Sequence, residues 1–218
     1  MQPENETSEL IPSGTVFVVD DEEAVRDSVA LLLRSVGLHA QTFKDAYSFL
    51  DGYDPAQSGC LVLDVRMPRM SGLDLQRELK RRDWRLPLIF ITGHGDVPMA
   101  VEAMRAGAVE FLQKPFNDDE LIRRVNHALA IDANQRKQLH ALAELRQRYE
   151  TLTAREREIA QRLVSGAANK VLAIDLNLSE RTVEAHRAHI LEKMKARGVA
   201  QLAQQLLRLG LEAKIVGD

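Results

Sequence analysis

The feature that most constrains this chain is a repeated alternation in its first 130 residues. Short apolar runs at Val16–Val19, Ala40–Phe43, Leu61–Val65, Leu88–Ile91 and Glu110–Leu112 are separated by stretches with helical spacing. The first, third and fourth runs do not alternate apolar with polar residues, as expected of strands covered on both faces. Between them, Val25, Val29, Leu32, Leu33 and Val36 recur at helical intervals, and Gly37 follows as a stop. Leu73, Leu75 and Leu79 follow Gly72 in a second helix, and Pro98 suits the first turn of a third, ahead of Val101, Met104 and Ala108. Strands alternating with helices predict a five-stranded parallel sheet, doubly wound and flavodoxin-like.

Four of the five strands end on a residue able to do chemistry. "FVVDD" places Asp20 and Asp21 after the first run, "CLVLD" places Asp64 after the third, and "LIFIT" places Thr92 after the fourth. Lys114 follows the fifth in "FLQKPF". Ligands and active groups in open parallel sheets collect at the carboxyl ends of strands. Asp20 and Asp21 by themselves have two readings. They can start the next helix, where the macrodipole favours acids, or they can hold a cation. If the first and third strands are neighbours, Asp64 joins them, and three hard carboxylates suit Mg²⁺. A metal, a lysine and a hydroxyl are the groups that stabilise a phosphoryl group in transfer, and one carboxylate can accept it.

The chain continues differently after this block. From Asn117, an N-cap with Glu120 three residues on, no Gly or Pro occurs until Gly166. A helix through Glu150 would be roughly 45–50 Å long at 1.5 Å per residue. Ala128, Ile131, Leu142, Leu145, Tyr149 and Leu152 fit a heptad register that Gln135 and Gln138 interrupt, so a stiff helical linker is expected and a coiled coil stays open. The expected segments are a tail at 1–13, a phosphoacceptor domain at 14–128, a helical linker at 129–150 and an all-α domain at 151–218.

Charge follows this division. Residues 1–152 carry 24 acidic and 18 basic side chains, whereas residues 153–218 carry 8 and 11. An acidic front and a basic rear point to different partners, with nucleic acid a candidate for the rear. There Thr153 and Glu156 form a capping box, and Gly166 stops that helix. A short helix at Lys170–Leu176 leads through Asn177 to Ser179, which caps a helix carrying Arg181, Arg187 and Lys193. Two helices joined by a tight turn suit a major groove, although a protein-binding pair has the same pattern. The single cysteine, Cys60, excludes an internal disulfide framework and reads as structural. "MQPENETSELIPSG" has no apolar run, so neither a signal peptide nor a membrane anchor is expected, and a cytoplasmic location follows. His94 reads as a loop residue, Trp84 as a helix-end anchor, and Lys80, Arg81 and Arg82 as a solvated helix end.

The blocks "VVDDEEAVRD", "CLVLDVRMPRMSGLDL", "IFITGHGDVPMAV" and "GAVEFLQKPF" resemble the receivers of two-component response regulators. "LTAREREI", "NKVLAIDLNLSERTVEAHRAHILEKM" and "LAQQLL" resemble the four-helix LuxR-type helix-turn-helix domain. Together they look like the NarL/FixJ group, nearest its FixJ branch. Val171 and Leu172 depart from the Glu and Ile common there.

The resemblance implies a transcription regulator in which a sensor histidine kinase phosphorylates Asp64. Asp20, Asp21, Asp64 and the backbone carbonyl of Arg66 would hold Mg²⁺. Lys114 would stabilise the phosphoryl group, Thr92 and Phe111 would report it, and a homodimer would form through 97–107 and 110–112. Lys170, Arg181, Thr182 and Lys193 would hold DNA phosphates, while Glu184, Ala185, Arg187 and Ala188 would face the groove of promoter DNA. A front domain ruled by a ligand or protein partner is one rival. A Mg²⁺-dependent aspartyl phosphatase is another, and Arg66 counts against it because such enzymes commonly carry Asp-x-Asp.

Overall fold

A computed structural model describes residues 14–93 and 97–211. The chain divides into two compact units, with the boundary after Arg136. In the first, β1 (Thr15–Val19), β2 (His39–Phe43), β3 (Gly59–Asp64), β4 (Leu88–Thr92) and β5 (Glu110–Gln113) form one parallel sheet in the order β2-β1-β3-β4-β5. Helices α1 (Glu23–Ser35), α2 (Ala46–Gly52), α3 (Gly72–Arg81), α4 (Val97–Arg105) and the start of α5 (Asp118–Glu150) cover it.

The period of two along each strand explains the unbroken apolar runs. Val16 and Val18, Cys60 and Val62, and Ile89 and Ile91 enter one core with Val29, Ala30 and Leu33 of α1 and Leu121, Val125, Ala128 and Leu129 of α5. Phe17 and Val19, Leu61 and Leu63, and Leu88 and Phe90 enter the other, with Phe49 of α2, Leu75 and Leu79 of α3 and Ala103 of α4. Full burial of each large side chain stabilises by about 1.5–3 kcal/mol. The aromatic knot of Phe17, Phe49 and Tyr53 concentrates this, with Phe17 centroids 6.0 and 5.1 Å from the other two rings. Phe17→Ala would leave that knot with a hole and cost about 3–5 kcal/mol.

Sequence periodicity did not reveal α2, a helix of only 7 residues. A capping box makes it possible: Asp45 accepts from the Ser48 amide at 2.8 Å, and the Ser48 hydroxyl faces back to the Asp45 amide at 3.3 Å. Trp84 is half-buried, its ring 5.2 Å from that of Tyr53, with the Arg82 guanidinium 4.9 Å above it. It anchors the end of α3, as expected. Cys60 is fully buried, and burial pushes its thiol far above the ordinary range, which suits a structural thiol. His94 lies outside the described residues.

Helix α5 is continuous for 33 residues, as the missing breakers predict. Its heptad positions serve cores within the chain. Ala128 is buried against the sheet, whereas Leu145 is buried in the second unit, with Tyr149 packed beside it. The apolar repeat is thus used at both ends, by a different core at each.

The second unit contains α6 (Ala154–Val164), α7 (Asn169–Asp175), α8 (Glu180–Lys193) and α9 (Val199–Arg208). Thr153 and Glu156 form the expected capping box, Gly166 adopts φ +88° after α6, and the Ser179 hydroxyl accepts from the Thr182 amide at 3.0 Å. Ile159, Leu163, Leu172, Val183, Ile190, Met194, Leu202 and Leu206 fill the core.

Candidate functional site

The carboxyl ends of β1 and β3 are adjacent, so Asp20 and Asp64 meet there. Asp20 is fully buried, Asp64 is nearly so, and Asp21 is exposed. Two close buried carboxylates require a counter-charge, and Lys114 supplies it from the end of β5. Its Nζ stands 2.7 Å from Asp20 Oδ2 and 3.2 Å from Asp64 Oδ1. The remaining oxygens are also taken: the Glu22 amide donates to Asp20 Oδ1 at 2.9 Å, and the Arg66 amide to Asp64 Oδ2 at 2.7 Å.

Burial pushes the Asp64 carboxyl above its ordinary range, and the charge of Asp20 pushes the same way against the pull of Lys114. Burial acts to lower Lys114, but its hydrogen bond to Asp20 and the charge of Asp64 outweigh it and raise this group. The partners do not shift symmetrically, because desolvation weighs more on Asp64 than its one long bond to the ammonium returns. Glycine is required at the start of α3, because a Cβ on Gly72 would stand 2.3 Å from the Asp64 carbonyl oxygen. That contact packs α3 directly against the site.

Thr92 ends β4 and is buried, and its carbonyl accepts from the Lys114 amide at 2.8 Å. Phe111 is not at its strand's end. It pairs with Phe90, two residues before Thr92, with ring centroids 6.3 Å apart, whereas Thr92 pairs with Gln113. Because Phe90 and Thr92 share a face, Phe111 and Thr92 do too.

In the second unit, Arg181, Glu184, Ala185 and Ala188 are exposed at the i, i+3, i+4, i+7 spacing of one helical stripe on α8. Val183 and Ile190 are buried on its other side. Lys170 is exposed near the start of α7.

Two family models match, the response regulator receiver domain over residues 16–126 and the bacterial regulatory proteins of the luxR family over 150–206. The chain belongs to the response regulators that join a receiver to a LuxR-type DNA-binding domain. These are transcription regulators rather than enzymes. Similar relatives include the transcriptional regulatory protein FixJ of Azorhizobium caulinodans, 46% identical over 90% of this chain and 93% of FixJ. The response regulator protein TodT of Pseudomonas putida is 42% identical over 90% of this chain and 87% of TodT. The solved structure of response regulator StyR matches with a TM-score of 0.81 at 43% identity, over 89% of this chain and 98% of StyR. That of full-length FixJ from B. japonicum gives 0.55 at 39%, over 91% and 98%.

In this response regulator one expected DNA contact already has a partner within the protein. Lys193, assigned to DNA phosphate, directs its Nζ to both oxygens of buried Glu156, at 2.7 and 2.9 Å, and lies 3.5 Å from the Thr151 carbonyl. A buried carboxylate must be paired, and this lysine is its partner. Arg187 is half-buried, on the flank of the exposed stripe rather than within it. Thr182 is half-buried as well, its hydroxyl 2.7 Å from that of Ser179, so it also helps to cap α8.

One positioning residue carries no clear mark in the sequence. Arg26 Nη1 donates to the carbonyls of Asp20 at 2.7 Å and Asp21 at 3.0 Å, fixing the backbone that carries both acids. Its only signal is a cation one turn into an otherwise acidic helix start.

Among the described residues, no three His, Cys, Asp or Glu side chains stand grouped to hold a metal. The donor chemistry nevertheless fits Mg²⁺: Asp20, Asp21, Asp64 and the Arg66 carbonyl offer only hard oxygens. No described helix is long and apolar enough to cross a membrane.

Proposed function

We propose that Asp64 accepts a phosphoryl group from a sensor histidine kinase and that this controls binding of promoter DNA by the second unit. The observation that carries this reading is the Lys114 ammonium between Asp20 and Asp64. It keeps two carboxylates together at the edge of a parallel sheet, where a third anionic group needs compensation on arrival. In the transfer, an Asp64 oxygen forms the new P–O bond as the P–N bond to the kinase histidine breaks. Asp20, Asp21, Asp64 and the Arg66 carbonyl would hold Mg²⁺, which would offset negative charge at the site.

Lys114 is the mobile cation of the site, since its 3.2 Å contact with Asp64 can pass to a phosphoryl oxygen while its Asp20 bond persists. Thr92 supplies a hydroxyl, and Phe111 on the same face registers its movement. Val101 and Met104, 42% and 46% exposed on α4, give the adjoining surface an apolar character suited to a homodimer. On DNA, the exposed α8 stripe of Arg181, Glu184, Ala185 and Ala188 enters the major groove, with Arg187 reaching from its flank and Lys170 and Thr182 at the backbone. A cytoplasmic site of action follows from those partners.

The test is incubation with Mg²⁺ and a small phosphodonor, followed by mass spectrometry. One phosphoryl group is expected on Asp64, and none on Asp64→Asn. Phosphate on another residue with Asp64 unmodified would overturn the assignment. In sedimentation, phosphorylation is expected to shift the monomer–dimer equilibrium towards dimer.

A further inference from the structure

Helix α5 is held at a second place, at the opposite end of the sheet from Asp64. Asp132 is 2% exposed, and its Oδ2 accepts from the Gly59 amide at 2.9 Å, at the first residue of β3. One turn on, Arg136 Nε donates to both Asp132 oxygens, at 2.9 and 3.0 Å. Its Nη1 donates to the Ala56 carbonyl at 2.9 Å, and its Nη2 to those of Pro55, at 3.3 Å, and Gln57. A single guanidinium thus gathers three carbonyls of the loop that leads into β3.

A carboxylate buried this deeply costs stability unless it is paired and hydrogen-bonded. Asp132 meets both needs, with the Arg136 guanidinium from its own helix and the Gly59 amide from β3, while Arg136 ties α5 to the loop carbonyls. Gly59 is itself held closely against β1, because a Cβ there would stand 2.0 Å from the Thr15 carbonyl oxygen. The compact first unit ends at Arg136, beyond residue 126 where the receiver match stops. From Ala133 to Glu144 no side chain of α5 is buried, and burial resumes at Leu145 in the second unit's core.

We infer that Asp132 and Arg136 are the anchor by which the receiver grips the interdomain helix, and that this grip lets the receiver steer the DNA-binding unit. A helix transmits a change at its base only while that base is fixed to the body that changes. Without the Arg136 clasp, the stretch of α5 between Leu129 and Leu145 would open locally more often and carry less of the signal. This coupling rests on the phosphorylation-controlled reading above.

The experiment compares full-length wild type, Arg136→Ala, Arg136→Lys and, as a neighbouring control, Lys137→Ala. Amide hydrogen exchange of unphosphorylated protein is followed in residues 129–140. Exchange there is expected to rise about tenfold in Arg136→Ala while β1 and β3 stay protected. Arg136→Lys should fall between, because an ammonium keeps the Asp132 pair but cannot span three carbonyls. Lys137→Ala should match wild type. Unchanged exchange in Arg136→Ala would overturn the anchor. If the alanine variant does not fold, unchanged exchange in Arg136→Lys would overturn it instead.

The second measurement is the ratio of DNA affinities with and without phosphodonor. It is expected to fall several-fold in Arg136→Ala, with Asp64 phosphorylated at the wild-type rate. A ratio equal to wild type despite raised exchange would reduce the pair to a local brace and overturn the steering role. A wild-type ratio of one would instead overturn the phosphorylation reading, leaving hydrogen exchange to decide the anchor.

Discussion

Lys193 and Glu156, separated by 37 positions in sequence, form an ion pair at 2.7 Å that joins the end of α8 to the start of α6. Glu156 is 5% exposed, and it also closes the Thr153 capping box. Lys193→Ala leaves that carboxylate without its cation. Because the lysine itself is partly exposed, the expected loss is about 2–3 kcal/mol, below that for a fully buried pair. Thermal denaturation of residues 137–218 measures it.

The same pair sets an acid dependence. Burial acts to raise Glu156, but the hydrogen bonds from Lys193 and Thr153 outweigh it and hold the group below the usual glutamate range. A folded pKa below the unfolded one gives stability that is full above the unfolded value and is lost as pH falls through the folded value. Stability should therefore drop on acidification below about pH 4.3, the ordinary glutamate value. Lys193→Ala should flatten that slope in denaturant titrations at stepped pH.

Asp64 has the opposite sign. Burial raises its carboxyl, so the folded state binds a proton more readily than the unfolded chain. Stability from this group falls as pH rises from the ordinary aspartate value through the raised one, and the cost persists at neutral pH. Asp64→Asn should raise stability at pH 7 by about 1 kcal/mol while abolishing phosphorylation, a gain of the kind found when strained functional groups are removed. Urea denaturation without Mg²⁺ checks this, and an equal or lower midpoint would refute it.

Arg26→Ala frees the carbonyls of Asp20 and Asp21 from their shared donor. The acids remain, but their loop is no longer fixed. Mg²⁺ affinity, measured by titration without phosphodonor, should weaken by about tenfold, as for loss of an outer-shell partner. Arg26→Lys should restore part of it.

On DNA, the lysines should behave differently. Lys170→Ala should weaken specific and non-specific sites alike and reduce the salt slope by about 1. Arg187→Ala should shift preference among sequences, at about 1–3 kcal/mol for a good base contact. Lys193→Ala should leave the salt slope unchanged at temperatures where the domain stays folded. Binding isotherms at stepped salt separate the three.

A DNA-binding fragment should begin at residue 137 rather than 150. Leu145 is 4% exposed in the second unit's core, and Tyr149 packs there with Arg157 over its ring. Starting at 150 removes both, and loss of buried Leu145 alone is expected to cost about 2–5 kcal/mol. Melting the two fragments, then footprinting each at low salt, gives the comparison.

The sequence by itself determined what local chemistry can write. Unbroken apolar runs specified strands buried on both faces, their terminal residues named Asp20, Asp64, Thr92 and Lys114, and the lack of Gly or Pro after Asn117 made α5 continuous. Caps at Thr153 and Ser179 fixed two helix starts for the same reason, since each satisfies backbone donors within three residues. Only the tertiary structure decided which charges meet. Lys193 and Lys170 look alike along the chain, yet one pairs with buried Glu156 and the other is exposed, because a buried carboxylate selects its cation by distance in space. Arg26 and Arg136 were illegible for a related reason. Their partners are mostly backbone carbonyls, which every residue carries and no sequence pattern marks.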